Sequence, residues 1–181
     1  MRYYKVDQNE VDDLELKTES ATMFDLKAYI TANSVIKAFN PHQKEMSLPV
    51  REKNGEFYFS LQPQFRAVVS TGIAFSIPVK YQLRVTPNKE LALKSGVVLL
   101  GGTEIYDNDY VDEVKVTLYN TCDTPVFIHA NEVIAQATLN KVLEFTLEPT
   151  DRKVAIKTPK TKSKDVENVN DKDDSEETAE E

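Results

Sequence analysis

The sequence is poor in the residues that build disulfides and most metal centres. Cys122 is the one cysteine among 181 residues, and His42 and His129 are the two histidines. One cysteine excludes an internal disulfide and a multi-cysteine zinc site, and it fits a reducing compartment. Two histidines make a poor basis for a histidine-ligated metal. We therefore expect any chemistry to use carboxylates, hydroxyls and amides, with Mg²⁺ as the metal suited to them.

Long apolar stretches are also missing. No apolar run reaches the roughly 18 residues that a membrane span needs, and the first ten residues, MRYYKVDQNE, have no signal-peptide core. We expect a cytoplasmic protein that does not bind a membrane. The length suits one domain with a tail, and a hydrophobic content of 40% is enough for an ordinary core.

Net charge is absent from most of the chain and concentrated at its end. The overall charge is −8, and residues 165–181 hold nine acids and one base, so the remainder is neutral. Residues 152–164 are basic. Neither of these two segments has enough apolar residues to offset the conformational entropy that it would lose on folding. We predict a domain at residues 1–150 and a disordered tail at 151–181, which either solvates the protein or binds a protein or nucleic-acid partner.

No long stripe of apolar residues at helical spacing is present, and short β-rich segments take its place. Turn residues separate these segments every 8 to 12 residues, which is typical of sandwiches and barrels. The pattern predicts an all-β jelly roll or β-sandwich. The predicted strands are residues 55–61, 66–77, 81–87, 95–102, 113–120, 125–130, a segment after a turn at 130–132, and 143–149.

The stretch IYDNDYVDEVKV, residues 105–116, places four acids and two tyrosines just before a strand. Asp107 and Asn108 favour turn geometry, so a plain β-turn explains them without any chemistry. A site that holds a carboxylate at the mouth of a strand explains them as well.

Five segments in order decide between these readings, because together they resemble the trimeric dUTP diphosphatases (dUTPases), especially a phage-type branch. Each segment alone is weak, but their order and spacing match the family over about residues 1–148. The segments are SATMFDLKA (20–28), STGIAFSIPVKYQLRVTP (70–87), LALKSGVVL (91–99), YDNDYVDEVKV (106–116) and VIAQATL (133–139).

The resemblance implies a β-clip-like homotrimer that hydrolyses dUTP to dUMP and pyrophosphate with Mg²⁺. Asp107 corresponds to the carboxylate that activates water, and Tyr110 to the ring under the deoxyribose. Gln136 corresponds to an amide donor to phosphate, and Asp25 to an acid near the metal. Asp109, Asp112 and Glu113 are assigned to supporting the turn or a subunit contact.

Three departures from the family pattern bear on activity. The second motif, Pro-Arg-Ser in the family, here contains Asn88 and Lys89, which can donate to phosphate but do not replace a forked guanidinium. Glu90 beside them would repel a triphosphate. Gly101 stands where the family often has an Asn that binds uracil, which leaves only backbone groups there. The family's C-terminal Gly-rich arm is missing, since no glycine follows Gly102.

Two other functions therefore stay open. One is a catalytically silent family member that binds a partner through its surface and charged tail. The other is a related deaminase of the same fold that acts on a cytosine nucleotide, with Glu90 or Glu104 near the pyrimidine.

Overall fold

The computed structural model describes residues 1–143 and 145–149. Within them lie thirteen strands and one helix. In chain order these are β1 (Arg2–Lys5), β2 (Met23–Lys27), β3 (Ile36–Phe39), β4 (Glu45–Leu48), β5 (Val50–Lys53), β6 (Glu56–Leu61), β7 (Arg66–Ser76), β8 (Tyr81–Pro87), α1 (Lys89–Ser95), β9 (Val97–Leu99), β10 (Glu104–Tyr106), β11 (Glu113–Asn120), β12 (Val126–His129) and β13 (Val133–Lys141).

The strands form three antiparallel sheets within one compact unit, Met1–Phe145. The six-stranded sheet has the order β4-β3-β7-β11-β9, with β1 also paired to β7. The four-stranded sheet has the order β10-β8-β13-β2, and the three-stranded sheet has the order β12-β6-β5. The all-β prediction is confirmed. A second unit, Thr146–Glu181, contains the predicted tail, and residues 151–181 lie outside the described part of the chain.

Alternating apolar residues fix the register of the sheets. In β11, Val114, Val116 and Leu118 are fully buried, while Lys115 between them is exposed. A slip of one residue would turn every buried side chain of the strand to the opposite face. The core therefore determines where β11 begins, and with it the position of the acidic turn that precedes it.

The pairing of β7 with β11 is interrupted by a bulge at Gly72. The register shifts between Glu113 and Lys115, and Gly72 has a φ of +72°. The side chain of Glu113 closes the gap, because its Oε1 accepts a 2.7 Å hydrogen bond from the Gly72 N–H. The Thr71 hydroxyl donates to the Val114 carbonyl at 2.7 Å. The Glu113 side chain thus stabilises the bulge between β7 and β11, whereas the role predicted for it was in the turn or in a subunit contact.

The predicted strands from residue 55 onward each overlap a strand of the structure, with one exception. β13 ends at Lys141, and residues 143 and 145–149 are in no strand, so the predicted strand at 143–149 is wrong. The strand predicted at 95–102 is shorter, because Ser95 ends α1 and β9 covers only Val97–Leu99. The structure adds β1 to β5, α1 and β10, which the sequence did not reveal. The described residues contain no helix that is long and apolar enough to span a membrane.

Candidate active site

Asp107 lies directly after β10 at the start of a tight turn. Its carbonyl oxygen accepts a 3.1 Å hydrogen bond from the Tyr110 N–H, which closes the turn. Its side chain is exposed and makes no hydrogen bond or ion pair with any residue that the structure describes. The turn predicted from Asp107 and Asn108 is present. It also leaves the carboxylate free to bind water.

Tyr110 is held in place from two sides. Its hydroxyl donates a 2.9 Å hydrogen bond to the Glu113 carbonyl, and its ring meets the Tyr106 ring at 61° with centroids 4.7 Å apart. Burial raises the pKa of the Tyr110 hydroxyl, and the nearby Asp112 carboxylate raises it further, so the hydroxyl stays protonated. Tyr110 lines a groove of about 370 Å³ together with Arg2, Tyr3, Tyr4, Ala74, Phe75, Ser76, Ile77, Asn108 and Val111.

Tyr106 and Glu104 form a support that the sequence did not reveal. The Tyr106 hydroxyl lies 2.8 Å from the Glu104 carboxylate and 3.0 Å from the Lys115 carbonyl. Burial raises the pKa of Glu104, although its hydrogen bonds to Tyr106 and the Thr117 N–H act in the opposite direction. Burial also raises the pKa of Tyr106. Glu104 is therefore engaged within the fold and fixes the ring on which Tyr110 rests.

Replacing Tyr110 with phenylalanine tests how much the hydroxyl contributes. We expect the free energy of unfolding to fall by about 1 kcal/mol, because one hydrogen bond to a carbonyl is lost. The ring and its packing on Tyr106 remain, so the dUTP binding that the resemblance implies should change little. Urea denaturation and a KM measurement for dUTP check the two parts. A large rise in KM for Tyr110→Phe would show that the hydroxyl itself contacts the ligand.

A second group of candidate residues is centred on Asp25 in β2. The Gln136 amide of β13 donates to Asp25 Oδ1 at 2.9 Å, and the Lys17 ammonium lies 2.8 Å from Asp25 Oδ2. Burial raises the pKa of Asp25, but the bonds from Lys17 and Gln136 outweigh it and the net pKa is below its ordinary value. Lys17 was not among the predicted residues, since nothing in its flanking sequence links it to Asp25.

The Asp25 contacts predict a pH dependence of stability. Because the pKa is lower in the folded state, the unfolded chain binds the proton more readily. The stabilisation is therefore present above the ordinary pKa of 3.8, and it is lost as the pH falls through the lower folded value. We expect Asp25→Asn to destabilise the protein at neutral pH and to match wild type in strong acid. Denaturation midpoints measured across this range check it, and Lys17→Met should remove part of the same dependence.

The second-motif residues Asn88 and Lys89 begin α1. Asn88 caps this helix, with Oδ1 accepting from the N–H groups of Glu90 and Leu91 at 2.8 and 3.1 Å. Its Nδ2 donates to the Val133 carbonyl at 3.3 Å, so the side chain already has a structural role. Lys89 is exposed. Glu90 forms an ion pair with Lys94 one turn along the helix, which partly neutralises the charge that would repel phosphate.

Gly101 lies in the exposed turn between β9 and β10. It has a φ of +90°, and a Cβ placed there would meet no atom within 4 Å. Its carbonyl accepts a 2.9 Å hydrogen bond from the Thr103 N–H. The position thus exposes backbone and offers no side chain, consistent with recognition through main-chain groups alone.

The two groups lie at opposite ends of the four-stranded sheet. Tyr106, just before Asp107, pairs with Leu83 of β8, whereas Gln136 pairs with Thr86. Leu83 and Thr86 are three residues apart on β8, which is about 10 Å along the strand, and β10 lies two strand spacings from β13, which is about 10 Å across the sheet. Asp107 follows Tyr106 in the direction that leads away from Thr86, so it is farther still from Gln136. Asp107 and Gln136 of one chain are therefore too far apart to touch the same phosphate group.

The described residues do not form a metal cage. They contain no group of three or more His, Cys, Asp or Glu side chains placed to hold an ion. Both oxygens of Asp25 already have partners, and the Lys17 ammonium takes the place that a cation would occupy. Asp25 would have to release Lys17 before it could bind a metal.

One known protein family matches more than half of the chain. A family model for dUTPase matches residues 56–164. The chain belongs to the dUTPase family. A deoxyuridine 5′-triphosphate nucleotidohydrolase of Brucella suis is 32% identical over 133 residues, which cover 74% of this chain and 78% of that dUTPase.

Other relatives match over shorter segments. The dUTPase of Hydrogenobaculum sp. is 42% identical over 84 residues, or 46% of this chain and 58% of that protein. The Chlamydia pneumoniae dUTPase is 39% identical over 93 residues, or 51% of this chain and 64% of that protein. The chain thus spans less than two thirds of the length of these two dUTPases.

Solved dUTPase structures share the fold. The Streptococcus mutans dUTPase superposes with a TM-score of 0.59 at 16% identity, covering 80% of this chain and 98% of that one. The dUTPase of Staphylococcus bacteriophage 80alpha gives 0.59 at 14% identity, covering 85% and 97%. At this identity the likeness establishes the fold, and the sequence relatives establish the family.

Proposed function

We propose that this dUTPase-family chain hydrolyses dUTP to dUMP and pyrophosphate. The observation that carries the proposal is the pairing of an unbonded, exposed Asp107 carboxylate with a Tyr110 ring fixed three residues away. A general base must be ionised and free to accept a proton from water, and a positioning ring must not move. The names of the relatives, which act on deoxyuridine triphosphate, support the choice of substrate.

In the proposed reaction, Asp107 accepts a proton from a water molecule as the water oxygen bonds to the α-phosphorus. The bond from that phosphorus to the oxygen bridging to the β-phosphate breaks, and pyrophosphate leaves with the electron pair. Tyr110 lies under the sugar, where a 2′-hydroxyl would clash. Backbone groups around Gly101 contact the base, and Asn88, Lys89 and Gln136 contact phosphate. The deoxyribose and the uracil are thus selected by different parts of the site.

The proposed substrate is the Mg²⁺ complex of dUTP. Proteins commonly bind Mg²⁺ through the phosphates of the substrate with few side-chain ligands, which suits a chain whose described residues form no cage. The dUTPase from phage phi11 of S. aureus coordinates a structural Mg(II) ion. We therefore expect activity to require Mg²⁺.

We further propose a homotrimer in which neighbouring copies complete each site. The support is the separation of Asp107 and Tyr110 from Gln136, Asn88 and Lys89 along the four-stranded sheet. In the proposed assembly a second copy brings the two groups to one phosphate group. Because the nucleotide pool is cytoplasmic, we place the enzyme in the cytoplasm, that of the host if a phage encodes it.

Pyrophosphate release from dUTP by the full chain tests this function. dCTP, dTTP and UTP are assayed alongside, and EDTA is added to remove Mg²⁺. We expect release from dUTP that EDTA abolishes, with little from the other three nucleotides. Conversion of dCTP to dUTP with release of ammonia, and without release of pyrophosphate, would favour the deaminase. Absence of turnover with any nucleotide would favour a silent binding protein.

A further inference from the structure

The outer face of the three-stranded sheet carries an unusual set of side chains. Tyr58 of β6 pairs with Arg51 of β5 on one side and with His129 of β12 on the other. Cross-strand partners point to the same face of a sheet, so these three side chains form one row. Phe127, two residues before His129 on β12, and Lys53, two residues after Arg51 on β5, point to this same face. We call these five residues the aromatic face.

The aromatic side chains on this face form a continuous surface. The Tyr58 and His129 rings stack at 26° with centroids 5.5 Å apart, and the Phe127 ring meets Tyr58 edge-on at 5.7 Å. The residues between them, Phe59 and Ile128, are fully buried on the opposite face. Core packing thus accounts for the inner residues and leaves Phe127, whose side chain is 51% exposed, without a packing role.

The charges beside the rings are mainly positive. Arg51 and Lys53 are exposed, and neither forms an ion pair with a residue in the described part of the chain. Glu56 is the acid in the adjoining groove, and its carboxylate lies 3.3 Å from His129 Nδ1. The groove measures about 440 Å³ and is lined by Lys53, Asn54, Glu56, Tyr58, Phe127 and His129.

We propose that the aromatic face binds single-stranded nucleic acid. Exposed rings provide planar surfaces on which unpaired bases stack, and cations beside them neutralise phosphates. Glu56 and Asn54 offer acceptors for the amino and imino groups at base edges. A groove of this size lies within the range of about 300 to 1,000 Å³ that suits a small planar group. A duplex offers no free base faces, so the chemistry selects single strands.

The face is distinct from the proposed active site. Asp107, Tyr110, Gln136 and Asp25 belong to the four-stranded sheet or to turns beside it, and none of them lines this groove. The inference does not depend on dUTP turnover, so the two proposals can fail separately.

Fluorescence anisotropy with the full chain tests the inference. The probes are a labelled thymidine oligonucleotide of about 12 nucleotides, the matching uridine oligonucleotide, and a duplex of the same length. We expect wild type to bind the single strands more tightly than the duplex. The double variant Tyr58→Leu with Phe127→Leu should bind them roughly tenfold more weakly or worse, because stacking is lost while charge and apolar character stay. The ratio between the two single strands distinguishes DNA from RNA as the source.

Matched variants separate stacking from other effects. Tyr58→Phe keeps the ring and should bind like wild type. Val35→Ala changes a side chain that is 75% exposed and lies on neither the aromatic face nor the proposed active site, so it should have no effect. Because basic residues 152–164 are present in every variant, any background that they contribute cancels. Equal binding by wild type and the double leucine variant, or equal affinity for duplex, would overturn the inference. So would a changed sedimentation coefficient of the double variant, which would make this face an interface between copies.

Discussion

Asp107→Asn is expected to lower kcat for dUTP by about a hundredfold to ten-thousandfold, the range that a general base contributes. Asparagine keeps the size of the side chain, and the main-chain carbonyl of residue 107 still accepts the Tyr110 N–H at 3.1 Å. It cannot take a proton from water. Because the side chain is exposed and has no partner among the described residues, the free energy of unfolding should stay unchanged. Pyrophosphate release and urea denaturation on the same preparations measure both quantities.

Asp109→Asn is the matched control for this experiment. Asp109 lies in the same turn and is also exposed, so its replacement removes the same charge two residues away. We expect it to keep most of the wild-type rate. Equal losses in the two variants would mean that the turn acts through its overall negative charge and that Asp107 is not the base.

Gly72→Ala is expected to destabilise the domain strongly. A φ of +72° is unfavourable for alanine, and the new Cβ would lie 2.6 Å from Val11 Cγ2 and 3.1 Å from Tyr29 Cγ. The conformation costs about 1 to 2 kcal/mol and the overpacking about 1 to 3 kcal/mol more. The sum is a large share of the roughly 5 to 15 kcal/mol that stabilises a typical protein. Chemical denaturation measures the loss.

Gly55→Ala isolates the conformational part of that cost. Gly55 has a φ of +83°, yet a Cβ there would meet nothing within 4 Å. We expect this variant to lose only about 1 to 2 kcal/mol. If both variants lost the same amount, the space around Val11 would relax freely and the clash would carry no cost. Gly72→Ala should also weaken the proposed activity, because displacing the backbone at residue 72 would disturb its hydrogen bond to the Glu113 side chain in the bulge.

The fold was readable from the sequence wherever strands alternate apolar and polar residues. β11 was predicted with the bounds that it has, since Val114, Val116 and Leu118 mark its buried face. β4 was missed because three of its four residues are exposed, and it pairs only with β3 within its sheet. α1 was missed because seven residues are too few to show a helical period. The error at residues 143–149 arose because β-rich composition does not provide a pairing partner.

The site was readable where its residues lie close together in the sequence. The turn from Asp107 to Tyr110 is local, so its residues and its hydrogen bond follow from the motif. The pairing of Asp25 with Gln136 joins residues 111 positions apart, and only the register of β2 on β13 creates it. Lys17 reaches Asp25 from an irregular segment, and no spacing rule connects the two. The support from Glu104 and Tyr106 depends on side-chain burial, which composition does not give.

The separation of Asp107 from Gln136 across the sheet has a genetic consequence. If each site draws on two copies, a chain with a defective Asp107 and a chain with a defective Gln136 are each inactive alone. Mixed together, they assemble some sites whose halves are both intact, so two null alleles complement each other in one cell. Conversely, when an inactive Asp107 variant is expressed beside wild type, the two chains assemble together. Each variant chain then inactivates a site to which a wild-type chain also contributes, and the number of inactive sites rises with the amount of variant.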